Sequence, residues 1–111
     1  MPVPPLPGYW LLLWSQFGLG ERVARRVWKA LAQAADDDPE VKAFTFTLLS
    51  MQGTSGSAFL GALRGLFKQY DGRFWCELVE RLVAHNLLTR ADGTMFQDKL
   101  LRLIGRTGQW K

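Results

Sequence analysis

The chain has 111 residues, 48 % of them apolar, with 14 Lys and Arg against 10 Asp and Glu for a net charge of +4, and a single Cys. This is the length of one domain that buries most of its apolar surface unaided, and the composition is globular rather than disordered. One Cys excludes an intramolecular disulfide and a Cys-based metal site, which suits a reducing compartment, and no run reaches the ~20 apolar residues of a membrane span; the expected location is cytoplasmic, with no membrane association and no cofactor.

Residues 1–8 hold Pro2, Pro4, Pro5 and Pro7 and are expected to run extended as an arm, because each proline fixes φ and restricts the residue before it. Trp10, Leu13 and Trp14 recur at helical spacing within residues 9–16, a short and largely buried helix. Gly18 and Gly20 permit a turn into a second helix over residues 20–35, where Val23, Ala24, Val27, Leu31 and Ala34 form an apolar stripe. Arg22, Arg25, Arg26 and Lys29 fall at i, i+3, i+4 and i+7 on another face of that helix, a cationic stripe with no acid after Glu21 to neutralise it.

Asp38-Pro39-Glu40 is a helix-start signal, an Asp cap with Pro at the first helical position, and it gives the acidic run 36–40 a capping role. Val41, Phe44, Leu48 and Met51 make the following segment a helix, although Phe44-Thr45-Phe46-Thr47 alternates like a strand. A fourth helix is expected over residues 58–70, in which Gly61 and Gly65 suggest the close approach of another helix. A fifth spans residues 74–85, with a Glu77–Arg81 pair at i, i+4 and Asn86 as a left-handed stop. Residues 87–97 read either as a small β-hairpin or as the approach to a sixth helix that is capped at Thr94 and ends at Gly105, leaving residues 106–111 as a loose tail. The fold class is therefore all-α: one compact bundle of five or six helices.

No P-loop, GxSxG, HExxH or paired Cys and His at metal spacing is present. Cys76 and His85 stand nine residues apart on one expected helix, about 13 Å along its axis, too far for a nucleophile and its base. Catalysis is not expected. The glycine turn carries more: Phe17-Gly18-Leu19-Gly20, with the small Ala24 four residues later, resembles the helix-hairpin-helix motif across residues 10–31. That resemblance implies backbone amides at Gly18 and Gly20 contacting a phosphate without reading sequence, flanked by Arg22, Arg25 and Arg26. A glycine turn and a helix N-terminus favour an oxyanion on physical grounds alone. The bland alternative is a helix start with two glycines for turning and a solvated cationic face.

Residues 78–94, a helix followed by Leu87-Leu88-Thr89-Arg90 and an Asp-Gly turn, also resemble the last helix and wing of a winged-helix domain, though Glu77 and Glu80 suit phosphate poorly. Two functions follow. The first is a non-catalytic nucleic-acid-binding domain, or a helical subunit of a nucleoprotein complex, using Arg22, Arg25, Arg26 and Lys29 with Arg64, Lys68, Lys99 and Arg102 extending the surface. The second is a helical adaptor or inhibitor docking on a partner protein through exposed Trp10, Trp28, Trp75 or Trp110. Nucleic acid or an acidic protein surface is the expected partner, and homodimerisation through an apolar face is compatible with both.

Overall fold

A computed structural model describes residues 5–107 and contains six helices, with no strand among those residues. They are α1 (Trp10–Ser15), α2 (Glu21–Ala35), α3 (Pro39–Ser50), α4 (Gly56–Gln69), α5 (Gly72–Ala84) and α6 (Arg90–Thr107). None is long and apolar enough to cross a membrane. The central element is α2, which packs against α3, α1, α6 and α5. Its buried face is rich in alanine, Ala24, Ala30, Ala32 and Ala35 beside Val27, Trp28 and Leu31, so neighbouring helices can approach its backbone closely.

The core is an aromatic chain running between helices. Trp28 of α2 meets Trp10 of α1 at 5.4 Å between ring centroids, Trp14 meets Phe96 of α6 at 4.8 Å, and Phe96 leads through Trp75 of α5 to Phe44 of α3. This corrects the expectation of exposed tryptophans: Trp10, Trp28 and Trp75 are 1 %, 2 % and 1 % exposed and cannot anchor a partner, while Trp110 lies outside the described residues. Large rings fill a small interior more effectively than any other side chain, so the bundle takes them inward.

These indoles differ in how they are satisfied. Trp10 Nε1 donates to the Ala24 carbonyl at 2.8 Å, whereas Trp14 and Trp75 Nε1 are buried with no acceptor among the described residues. Replacing Trp10 by Phe should therefore cost about 2–4 kcal/mol, from the cavity and the lost indole hydrogen bond together. Trp75→Phe opens a similar cavity but removes an unsatisfied donor worth about 1–3 kcal/mol, so its loss is expected to stay below about 1.5 kcal/mol. Urea unfolding midpoints compare the two directly.

Asp38 behaves as its sequence context suggests: Oδ1 accepts from the Glu40 and Val41 amides, with Pro39 in the first turn. Its other oxygen takes Arg81 Nη1 at 3.0 Å, and Arg81 also reaches Glu40. The expected Glu77–Arg81 pair does not form; Glu77 takes Arg73 instead, because Arg81 is drawn across to the α3 cap. Within α3, Val41, Phe44, Leu48 and Met51 are buried and Phe46 is 74 % exposed, so helical burial overrides the strand-like alternation.

The hairpin reading of residues 87–97 is also corrected. Asn86 does adopt a positive φ of 60°, but the Thr89 side chain then accepts from the Asp92 amide at 3.1 Å and α6 begins at Arg90. No wing exists there, and the winged-helix likeness falls with it. Gly105 does not stop α6, so Arg106, assigned to a loose tail, is helical. Residues 1–4 of the arm and 108–111 of the tail lie outside the described residues. Gly61 and Gly65 face open space rather than a neighbouring helix.

Candidate nucleic-acid interface

The turn between α1 and α2 is closed by its own backbone. The Gly18 amide donates to the Ser15 carbonyl, and the Phe17 and Leu19 amides both donate to the Trp14 carbonyl, all at 3.0 Å. Gly18 sits at φ +84°, a conformation an L side chain resists, while Leu19 is buried and pins the turn to the core. Gly18 therefore shapes the turn, and its N–H is not available to a ligand as the sequence suggested. Gly20 is the residue that caps α2, at φ −66° and ψ 155°, and it brings no side chain to do so. The amides of Gly20, Glu21, Arg22 and Val23 consequently meet no acceptor among the described residues.

A second element supplies charge at this point. An ideal Cβ on Gly18 would lie 3.7 Å from Lys99 Nζ, so the lysine of α6 spans the hairpin glycine. Arg102 and Arg106, three and seven residues further along α6, line a shallow depression with Gln16, Phe17 and Gly105. The Arg106 guanidinium lies over the Phe17 ring, 5.4 Å from its centroid. Against these cations stand Asp98, 3.4 Å from Lys99 and 3.7 Å from Arg102, and Glu21, 3.4 Å from Arg25, all contacts between largely exposed partners apart from Lys99. Such pairs are weak and readily exchanged.

The cationic stripe of α2 is divided by the fold. Arg26 is committed to Asp92 of α6 in a two-pronged contact, Nε to Oδ2 at 2.7 Å and Nη2 to Oδ1 at 3.2 Å. The hydrogen bond to Asp92 holds the Arg26 guanidinium above its ordinary pKa. Because Asp92 is mostly buried, this contact ties α2 to α6 and is structural. With Gly18 beside Lys99 and Arg26 beside Asp92, α2 and α6 run antiparallel. Lys29 lies beyond Arg26, beside Asn86 and Thr89 at the α5–α6 turn and away from the hairpin. Arg64 and Lys68 sit one turn apart on the exposed side of α4, and Arg64 faces a separate groove.

Of the residues the sequence put forward, the fold brings Lys99 beside Gly18 and Arg102 beside Phe17, at the hairpin that leads through Gly20 to Arg22 and Arg25 in the first turns of α2. It adds Arg106, which the sequence reading left in the tail. The signal for it was present, since Arg106 continues the i, i+3, i+7 series of Lys99 and Arg102. The acidic run 36–38 lies past the far end of α2, roughly 22 Å from the hairpin for a 15-residue helix, so the two charges stay separate along the molecule. No family model, curated protein or solved structure matches this chain. The functional reading rests on this geometry.

Proposed function

We propose that this protein is a small non-catalytic nucleic-acid-binding module that grips backbone phosphate at the α1–α2 hairpin without reading sequence. One observation carries the reading: the uncapped amides that open α2 follow a hairpin flanked by mostly exposed cations, Lys99 beside Gly18 and Arg102 and Arg106 beside Phe17 on α6, with Arg22 in the first turn of α2 itself. Oriented N–H groups and the positive end of the helix favour an oxyanion, and the basic side chains supply the counter-charge. Flanking contacts to neighbouring phosphates would come from the α6 face, which extends the cationic surface for about two turns. Contacts of this kind position a protein on a strand and carry no base information. The helix-hairpin-helix resemblance of residues 10–31 points the same way.

The test is affinity across a salt series for labelled mixed-sequence DNA and RNA, duplex and single-stranded. We expect dissociation constants on the order of 1–100 µM at low salt. The logarithm of the association constant should fall linearly with the logarithm of salt, with a slope of about −3 to −4 for four phosphates neutralised. Absence of binding at low salt would overturn the reading. The adaptor alternative loses Trp10, Trp28 and Trp75 to the core, and its remaining support among the described residues is a groove on another side of the hairpin.

A further inference from the structure

Between α1, the first half of α4 and the end of α6 runs an open groove of about 580 Å³. Its floor is Leu13, Leu63 and Leu103, all buried, and Tyr9, Phe17 and Phe59 form half-buried walls. Two aliphatic side chains stand out of it: Leu12 of α1 is 70 % exposed and Leu60 of α4 is 51 % exposed. An isolated exposed leucine is ordinary, but two on different helices facing one apolar groove leave a contiguous apolar surface in water.

The polar composition of the rim says what would cover it. Arg64 and Arg106 line the groove, both exposed, and among the described residues neither is in an ion pair and no carboxylate lines it. We propose that this groove docks an amphipathic, acidic helical segment of a partner protein. Leucine-like side chains of that segment would pack on Leu12, Leu60 and the floor, and its carboxylates would meet Arg64 and Arg106. Arg106, held over the Phe17 ring, offers a guanidinium already oriented for a two-pronged contact with a carboxylate.

The exposed surface favours a peptide over unpaired bases. Bases stack on open aromatic faces, and here the exposed groups are aliphatic. Tyr9 and Phe59 pack on each other at 5.1 Å, and the Tyr9 hydroxyl is tied down by donating to the Leu48 carbonyl at 2.6 Å. Leu12 and Leu60 take no part in the phosphate surface, whereas Arg106 borders both, so the leucine variant and Arg64→Gln are the changes that separate the two readings.

The test uses the full chain and two labelled synthetic helices of the same length, each with leucine at i, i+4, i+7 and i+11, one bearing glutamate and the other lysine elsewhere. Fluorescence anisotropy should show the glutamate helix binding at least about tenfold more tightly than the lysine helix. The Leu12→Ser, Leu60→Ser double variant should weaken it by about tenfold or more, as should Arg64→Gln, with unchanged circular dichroism and unchanged affinity for duplex DNA. Failure of both helices to bind, or equal binding of both, would overturn the proposal. So would loss of nucleic-acid binding in the leucine variant, which would make the groove a nucleic-acid surface. A dimer in sedimentation that the leucine variant dissociates would assign the groove to a second copy and likewise overturn it. Peptide binding without any binding to nucleic acid would uphold this proposal and reject the phosphate reading.

Discussion

Changing Arg22, Lys99, Arg102 and Arg106 together to Gln is expected to lower affinity for a mixed-sequence duplex by on the order of a hundredfold at low salt. Each cation facing a phosphate contributes roughly 0.7 kcal/mol in an exposed setting, and four such contacts amount to two decades in affinity. The salt slope should flatten by about one unit for each residue that neutralises a phosphate. A second variant removes the same formal charge elsewhere, with Lys29, Lys42, Lys68 and Arg73 changed to Gln, and should lose less than about fivefold if location matters more than net charge. Equal losses in the two variants would reduce the interface to a general attraction for a basic protein. Gly20 offers a finer discrimination. No atom lies within 4 Å of a Cβ built there, and its φ of −66° suits any residue, so Gly20→Asp is accommodated. The new carboxylate would cap α2 and raise stability by a few tenths of a kcal/mol, while occupying the amides assigned to phosphate. Binding should fall as the unfolding midpoint rises, an opposition that damage to the fold cannot produce.

Much of the bundle was legible because its signals are local. Asp38-Pro39-Glu40 announces α3 through bonds made within four residues, and Asn86 ends α5 through its own φ. The start of α6 was misplaced because two Thr residues, Thr89 and Thr94, precede plausible helical runs; Thr89 prevails because starting the helix there lets Asp92 reach Arg26 across the α2–α6 seam. The interface was half legible for the same reason. The cations of α2 can be counted from the sequence, but which of them remain free depends on α6: Asp92 removes Arg26, and Lys99 arrives at Gly18 from 81 positions away. The tryptophans illustrate the limit from the other side. Aromatic abundance says that rings must be packed somewhere, yet only the crossing of α1, α2, α5 and α6 decides that Trp10, Trp28 and Trp75 are all inside.

The helical glycines are expected to respond to alanine in opposite directions. Gly61 and Gly65 of α4 meet nothing within 4 Å of a built Cβ, so Gly61→Ala and Gly65→Ala should each stabilise by about 0.5–1 kcal/mol through helix propensity and a less flexible unfolded chain. Gly93 of α6 is buried, and a Cβ there would lie 2.9 Å from Val83 Cγ2 and 3.3 Å from Val79 Cγ1 on α5. Valine is stiff at χ1, so neither methyl can swing away, and α5 or α6 must shift. Overpacking of this kind costs about 1–3 kcal/mol, more than the propensity gained, and Gly93→Ala should destabilise while Gly93→Leu should do so by more than about 3 kcal/mol. Shortening the opposing valine tests the cause. In a double-mutant cycle, Val83→Ala should recover at least half of the Gly93→Ala loss, a coupling of about 0.5–1.5 kcal/mol that equilibrium urea unfolding resolves. Additive losses would mean that the contact is not what limits the α5–α6 approach. The glycine spacing that looked like a helix crossing on α4 would then have no counterpart on α6 either, and the α5–α6 register would rest on Leu88, Phe96 and Leu100 instead.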